Sequence, residues 1–157
     1  MNFENFNMLD RVVSHEIETQ TIVCETTVPQ RATILDAHFP GFPILPGVFM
    51  VETIAQASGL FLVLLNNFEK MAILFGIENA RFRDYAKPGE TLQVHSTVTH
   101  IGHGYGVCDG KILRDDKIIA QAEVRLRLLV PDADITSFLQ QQREKFYLLC
   151  NREVNEC

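Results

Sequence analysis

The longest apolar segment of the chain covers residues 48–65, and Glu52 and Gln56 interrupt it one helical turn apart. Its length approaches the roughly 20 residues of a membrane-spanning helix, but a charged side chain inside a membrane span is costly. The pattern therefore favours a long helix buried in a folded core. Pro46 suits the first turn of this helix, because its missing N–H would have no helical partner there. The two asparagines at positions 66–67 mark the end of the helix.

Strand patterns dominate the rest of the chain. They are strongest in five segments, namely residues 19–28, 71–82, 91–100, 107–113 and 117–130. Residues 91–100 alternate between apolar and polar positions, as a half-buried strand does. Turn sequences at residues 87–90, 102–106 and 114–116 separate the later strands. Strands, one long helix and then several antiparallel strands predict an α+β fold, in which one antiparallel sheet wraps around one central helix.

The C-terminal segment has a different pattern. Asp134 is a suitable N-cap, and the residues after it fall near helical spacing on one face. The members of this face are Ile135, Phe138, Leu139, Gln142, Phe146 and Leu149. They predict an amphipathic helix after Pro131, packed on the domain or on a partner. We therefore expect a domain over residues 1–131 and a helical extension over residues 132–157.

Composition narrows the class of protein. A chain of 157 residues with 46% hydrophobic and 22% charged residues is typical of a single globular domain. Its net charge of −6 disfavours nucleic acid as a partner. The four cysteines, at positions 24, 108, 150 and 157, lack the spacing of a zinc site or a disulfide framework. With no signal-peptide pattern at the N-terminus, we expect a cytoplasmic protein.

The basic residues of the second half of the chain are clustered. They are Arg81, Arg83, Lys87, Lys111, Arg114, Lys117, Arg125 and Arg127. Two interpretations stay open at this point. The cluster forms a positive patch for an acidic partner, or it belongs to a solvated surface in which charges balance.

His38 is the first candidate for chemistry. The residues directly after it are rich in proline and glycine, through Gly47. Such a loop is stiff, so it holds an imidazole in place at little further cost in entropy. A lone histidine in a loop is commonly a surface residue, but this context favours a general base, since histidine accepts protons near neutral pH.

Glu52 is the second candidate. Its carboxylate would lie among apolar residues inside the long helix, where burial penalises the charged form and favours a proton-donating carboxyl. Gln56 lies one turn further along the same face and can hydrogen-bond Glu52. The alternative is a structural glutamate paired with an Arg or Lys. Gly47 adds a third element, because a free N–H at the start of a helix can stabilise an enolate-like oxygen.

Residues 38–56 read His-Phe-Pro-Gly-Phe-Pro-Ile-Leu-Pro-Gly-Val-Phe-Met-Val-Glu-Thr-Ile-Ala-Gln. This segment resembles the signature of the FabZ-type 3-hydroxyacyl-[acyl-carrier-protein] dehydratases, which have a hot-dog fold. The fourteen-residue step from His38 to Glu52 fits that signature. Two further blocks resemble the family, Leu-Asp-Arg-Val at residues 9–12 and Ala-Arg-Phe-Arg followed by Lys-Pro-Gly-Glu at residues 80–90.

The resemblance implies a role for each candidate. His38 would remove the C2 proton, Glu52 would help the 3-hydroxyl to leave as water, Gly47 N–H would hold the thioester carbonyl, and Gln56 would orient Glu52. It also implies a homodimer, or a higher oligomer of dimers, in which one site takes His38 and Glu52 from different subunits. The substrate would be delivered by acyl carrier protein into an apolar tunnel. No metal or other cofactor is implied, and no membrane or nucleic acid.

Three positions depart from the family pattern. Ala37 replaces a glycine before the histidine and would crowd the loop, while Asp84 and Tyr85 replace a basic residue and a proline near the tunnel mouth. Glu52, in place of Asp, favours the FabZ type over the related dehydratase-isomerases.

Two further sequence patterns do not indicate a nucleotide site or a metal site. The Gly-x-Gly-x-Gly pattern at residues 102–106 opens no helix, so it indicates a hairpin and no dinucleotide loop. His95, His100 and His103 lack a further ligand at metal-binding spacing. Two alternative functions stay open, a hot-dog acyl thioesterase and a non-catalytic module that binds acyl carrier protein.

Overall fold

The computed structural model of the protein describes residues 1–130 and 136–151. Its elements, in chain order, are β1 (Arg11–Glu16), β2 (Thr21–Thr27), α1 (Thr33–Ala37), α2 (Gly47–Leu65), β3 (Met71–Phe82), β4 (Thr91–Gly102), β5 (Tyr105–Arg114), β6 (Lys117–Leu129) and α3 (Thr136–Cys150). The predicted α+β class is confirmed. Within the described ranges, one long helix and six strands form the body of the protein.

The six strands form one antiparallel sheet in the order β1-β2-β4-β5-β6-β3. Strand β3 follows α2 in the chain but pairs with β6 at the far edge of the sheet. The connection through α2 therefore separates β2 from β3, and the helix lies across one face of the sheet. This is the predicted hot-dog arrangement.

Helix α2 fills the core because nearly all of its faces are apolar. Its buried residues include Ile54, Phe61 and Leu62, which are fully inaccessible. By length and composition alone α2 is apolar enough to cross a membrane, yet 67% of the relevant segment is buried within the fold. The sheet supplies the apolar surroundings that this helix requires, as expected for a core helix.

Two glycines let α2 approach the sheet closely. A Cβ on Gly106 would lie 2.7 Å from both methyl groups of Leu62, and one on Gly110 would lie 3.1 Å from Cβ of Ile54. Both glycines are in β5, on the face that α2 covers. The side chains of Leu62 and Ile54 therefore occupy the space that a larger residue in β5 would need.

The strands after α2 agree closely with the sequence predictions. The β4–β5 turn contains His103 and Gly104, and the β5–β6 turn contains Asp115 and Asp116, all four with positive φ. Two-residue turns with positive φ are those that match the twist of paired strands. Strand β1 and the short helix α1 were missed, because neither has a long periodic pattern.

Two details of the predicted helices differ. Helix α2 begins at Gly47, so Pro46 is its N-cap and not a residue of the first turn. Asn66 is its C-cap and donates from Nδ2 to the carbonyl of Leu62 at 2.8 Å, which confirms the predicted end. The C-terminal helix is present as α3, while Pro131, Asp134 and Ile135 lie outside the described residues.

Helix α3 packs against β1 and the end of α2. Phe146 is 2% exposed and contacts the rings of His15 and Phe68 edge-on, with centroids 5.3 and 5.9 Å away. Leu149 is also buried. Of the predicted amphipathic face, Leu139, Phe146 and Leu149 are thus buried within the protein itself, Gln142 is half-buried, and Phe138 is 37% exposed.

The apolar face of β6 packs inside the protein. Its residues from Ala120 to Leu128 are buried under α2. The exposed apolar surface lies instead on the edge strand β3. Its members Ile73, Phe75 and Ile77 are 41%, 56% and 47% exposed.

We predict that Gly110→Ala destabilises the protein by about 1–3 kcal/mol, because the new methyl group forces Ile54 and α2 away from β5. The urea midpoint, measured by circular dichroism, tests this. Gly76→Ala is the matched control, since a Cβ there meets only ordinary contacts at 3.5 Å from Arg125. Equal effects of the two substitutions would contradict the close approach of α2 to β5.

Candidate active site

Glu52 and Gln56 form the centre of the candidate site on α2. Gln56 Nε2 donates a hydrogen bond of 2.9 Å to Oε1 of Glu52. The two residues are four positions apart, so the helix itself places them side by side. Both are half-buried, and the predicted pairing is confirmed.

Gln56 also holds the N-terminal segment of the chain. Its Nε2 donates a second hydrogen bond of 2.9 Å to the carbonyl of Phe6, and its Oε1 accepts one of 3.1 Å from the N–H of Met8. The amide of Gln56 is therefore fixed in orientation by backbone groups on both sides. The hydrogen bond from Gln56 to Glu52 therefore has a defined direction.

Glu52 and Gln56 lie on the wall of a cleft of about 410 Å³. This volume is within the usual range for small-molecule sites. The cleft follows α2 from Glu52 to Val63, and β3 and β6 add apolar wall through Leu74 and Leu126. Phe6 closes another side. A carboxylate thus stands beside an apolar channel that is long enough for an extended ligand.

The alternative of a structural ion pair at Glu52 finds no support. Among the described residues, no Arg or Lys lies within ion-pair distance of its carboxylate. Its neighbours Val51, Ile54 and Ala55 are buried and apolar. Glu52 is only half-buried because it faces the cleft, which leaves its carboxylate open to a ligand.

His38 caps the end of α1 and begins the loop that leads to α2. Its N–H donates to the carbonyl of Leu35 at 3.2 Å, and its carbonyl accepts from the N–H of Ile44 at 3.0 Å. Its ring stacks on Phe39 with centroids 4.3 Å apart. The loop is therefore tied down at both ends, and the imidazole is held as the sequence predicted.

The His38 side chain has an unsatisfied polar atom. Nδ1 is buried, and within the described part of the chain it has no hydrogen-bond partner. Buried polar atoms without a partner are uncommon and are often found at functional sites. No hydrogen bond joins His38 to Glu52 within the same set of residues. The two candidates are thus held by separate elements and do not form a pair inside one chain.

Gly47 is the first residue of α2, so its N–H has no acceptor within the helix. The space beside its Cα is occupied by the ring of Phe82, because a Cβ on Gly47 would lie 3.0 Å from Cε1 of that ring. The missing side chain at Gly47 therefore admits Phe82, which is half exposed and comes from the end of β3.

The positions that depart from the family pattern contribute to the loop beside His38. Tyr85 packs edge-on against Phe42, with ring centroids 5.4 Å apart. Asp84 accepts from the N–H of Tyr85 at 2.9 Å and from Arg114 at 2.7 Å. The backbone hydrogen bond, followed by the charge of Arg114, lowers the pKa of Asp84. Ala37 is exposed, so the expectation that its methyl group crowds the loop was wrong.

The basic cluster is partly neutralised. Arg114 binds Asp84 and Glu90, and Arg125 binds Glu78 and Glu123. No such ion pair is recorded for Arg81, Lys87, Lys111 and Arg127 among the residues that the structure covers. Arg81 and Lys111 share a polar hollow on the outer face of the sheet. The cluster is therefore a mixed surface in which some basic residues stay available.

Several residues of the site were not predicted. The carbonyl of Phe6 and the N–H of Met8 hold Gln56, and no sequence pattern marks backbone groups for such a role. Phe82 covers Gly47 from a distant part of the chain. Lys145 of α3 lines the cleft, although its helix was assigned no function. All of these contacts arise only when segments far apart in sequence meet.

Comparison with known proteins identifies a family. Residues 2–123 match the model of the FabA-like domain. The chain is 34% identical over 119 residues to the 3-hydroxyacyl-[acyl-carrier-protein] dehydratase FabZ of Protochlamydia amoebophila, covering 76% of this chain and 77% of that protein. It is also 34% identical over 118 residues to FabZ of Fusobacterium nucleatum, covering 74% of this chain and 82% of that protein.

Solved structures share the fold at low sequence identity. The dehydratase heterocomplex ApeI:P from Xenorhabdus doucetiae aligns with a TM-score of 0.65 and 18% identity, covering 87% of this chain and 89% of that chain. A protein described as a putative thioesterase, yhdA from Lactococcus lactis, aligns with a TM-score of 0.63 and 14% identity, covering 83% and 100%. At these identities the likeness concerns the fold alone.

We predict that Gln56→Leu destabilises the protein by about 1–3 kcal/mol, because Phe6 and Met8 lose their hydrogen-bond partners while the side-chain volume is nearly kept. Faster amide exchange at Met8 should accompany the loss. Gln93→Leu is the control, since Gln93 is exposed on β4 and its side chain hydrogen-bonds the exposed side of His95 without holding another segment of backbone among the described residues. Unchanged exchange at Met8 in Gln56→Leu would show that Gln56 does not hold the N-terminal segment.

Proposed function

The chain belongs to the FabA-like family as a FabZ-type 3-hydroxyacyl-[acyl-carrier-protein] dehydratase, a lyase of fatty acid biosynthesis, and we propose that His38 and Glu52 carry out its reaction. The observation that supports this proposal most directly concerns Glu52. Its carboxylate has no ion-pair partner among the described residues, is oriented by Gln56, and lies on the wall of an otherwise largely apolar cleft. A carboxyl group and an apolar channel side by side suit an acyl chain that carries a hydroxyl near its thioester end.

The reaction is a loss of water from C2 and C3 of the acyl chain. His38 accepts the C2 proton, and the electron pair of that C–H bond forms the new C2–C3 double bond. The C3–O bond breaks, and the departing hydroxyl takes a proton from Glu52 and leaves as water. The enzyme ends with one proton more on His38 and one fewer on Glu52, and transfer between them or through solvent restores the starting state. Neither an oxidant nor a metal enters this balance.

Gly47 supports the first step. Removal of the C2 proton moves negative charge onto the thioester oxygen, and the free N–H at the start of α2 can donate to that oxygen. The partial positive charge at a helix N-terminus acts in the same direction. The ring of Phe82 packs against Gly47 and adds an apolar contact beside this position.

We propose that the working form is a homodimer whose sites combine both subunits. His38 and Glu52 form no hydrogen bond with each other in the described part of one chain, while Nδ1 of His38 is buried and has no hydrogen-bond partner there. The edge strand β3 exposes Ile73, Phe75 and Ile77, a surface suited to a second copy. Pairing of subunits through this edge would bury apolar area and bring a second chain to the site.

The proposed substrate carrier is acyl carrier protein, and the proposed location is the cytoplasm. Acyl carrier protein is acidic, so the basic residues without recorded ion pairs, such as Lys87 and Arg127, are suited to contact it. Lys87 is exposed and lies over the ring of Tyr85 at 5.6 Å, near the His38 loop. The carrier would therefore approach from the side where the thioester must enter.

We predict that His38→Ala lowers kcat for dehydration by about 10²–10⁴-fold, because the general base is lost. Enoyl absorbance with a 3-hydroxybutyryl thioester measures the rate, and gel filtration checks that assembly is unchanged. His100→Ala, on the exposed part of β4, is the control. A folded His38→Ala protein with near-normal turnover would exclude His38 as the base.

We predict that Glu52→Gln keeps the fold and loses most activity. Glutamine preserves the shape and can still hydrogen-bond Gln56, but it donates no proton to the leaving hydroxyl. Turnover and thermal unfolding are measured together, with the exposed Glu69→Gln as control. An unfolded variant whose residual folded fraction stays active would show that Glu52 has a structural role instead.

We predict that mixing inactive His38→Ala and Glu52→Gln chains restores activity. If one site takes His38 from one subunit and Glu52 from the other, each heterodimer contains one intact site. Two different affinity tags, purified in sequence, confirm that subunits have exchanged. An exchanged mixture without activity would contradict a site shared between subunits.

A further inference from the structure

Helix α3 contributes one of its faces to the cleft that contains Glu52. Phe138, Gln142 and Lys145 line this cleft. They are separated by four and three residues, so they lie along one side of the helix. The opposite wall is α2, which means that the C-terminal helix encloses part of the site rather than standing apart from it.

Phe146, the neighbour of Lys145 in α3, packs on Phe68, which follows the last turn of α2. This packing places Lys145 toward the end of the cleft that is remote from Glu52. Glu52 is in the second turn of that helix, and the helix rises about 20 Å from Glu52 to Leu65. A chain that begins beside Glu52 and follows α2 must therefore be long before it reaches Lys145.

The α3 wall differs in chemistry from the other walls. Leu60, Val63, Leu74 and Leu126 make the channel apolar, whereas Gln142 and Lys145 bring an amide and an amine to it. Lys145 is half-buried, and burial lowers the pKa of its amine. Among the described residues, no carboxylate lies within ion-pair distance of it. Lys145 therefore lines the cleft without an ion-pair partner within the described ranges.

We propose that α3 is the distal wall of the acyl cleft and that Lys145 and Gln142 make it select long acyl chains ending in a carboxylate over plain alkyl chains of equal length. The methylene groups are buried along the apolar walls, and the terminal carboxylate binds the ammonium and amide groups. A plain alkyl end would leave Lys145 desolvated without a partner, which is unfavourable. This inference rests on the proposed function, which places the thioester end beside Glu52.

The test compares three 3-hydroxyacyl thioesters, a four-carbon one, a long alkyl one and a long one with a terminal carboxylate. The two long substrates have equal length. For the native protein, kcat/KM favours the carboxylate-ended chain over the alkyl chain. Lys145→Met lowers that ratio by about tenfold or more, the size expected for one charged hydrogen bond. Gln142→Leu lowers it less, and Lys145→Arg keeps the preference.

The four-carbon substrate distinguishes a failure of the dehydratase function from a failure of the role proposed for α3. It is too short to reach α3, so its turnover by the native protein tests the chemistry beside Glu52 alone. Failure of every protein on this substrate would overturn the dehydratase function itself. Two results, each with normal turnover of the four-carbon substrate, would overturn only the role of α3. In the first, the native protein does not favour the carboxylate-ended chain over the alkyl chain. In the second, Lys145→Met leaves the ratio of the two kcat/KM values unchanged.

Arg143→Met is the matched control for Lys145→Met. Arg143 is exposed on the same helix and lies over the ring of Tyr147, 6.0 Å from its centroid, outside the cleft. Its substitution leaves the ratio unchanged. An equal change in both variants would mean that the effect arises from loosening of α3 and not from a group that faces the acyl chain, and would overturn the proposal.

Discussion

Burial of α2 against the sheet is the constraint on which the rest of the structure depends. The helix is apolar on nearly every side, so it requires cover from several strands at once, and five of the six strands contact it. Gly106 and Gly110 allow that cover to be close, since their missing side chains accommodate Leu62 and Ile54. Because the helix is fixed in this way, its first turns present Gly47, Glu52 and Gln56 at defined positions.

The candidate site lies where α2 is not fully buried by the sheet. Glu52 and Gln56 are the polar interruptions of an apolar helix, and both lie where the sheet does not cover α2. The N-terminal segment fills part of that opening through Gln56, and α3 fills another part. An apolar cleft with one oriented carboxylate results. The geometry suits a substrate that is mostly hydrocarbon and carries its polar, reacting groups at one end.

The loop that carries His38 is stabilised independently of the helix core. Its backbone is tied to Leu35 and Ile44, and Tyr85 packs on Phe42 in the same loop. Arg114 stabilises the turn before β4, because it binds Asp84, Glu90 and the carbonyl of Tyr85. Asp84 and Tyr85, which depart from the family pattern, thus form a local support for the loop.

The sequence by itself determined the elements and the candidate chemistry. The apolar run, the alternating strands and the turns with glycine or aspartate reflect local rules, so α2 and the strands β2 to β6 could be read directly. The motif from His38 to Gln56 likewise supplied the candidate reacting groups, and the i, i+4 spacing of Glu52 and Gln56 predicted their contact. Only the tertiary structure decided what surrounds them. Contacts between segments that are distant in the chain decide these surroundings, and no local pattern encodes them. They include the backbone groups at Phe6 and Met8, the ring of Phe82 over Gly47, the buried face of β6 and the place of Lys145 in the cleft.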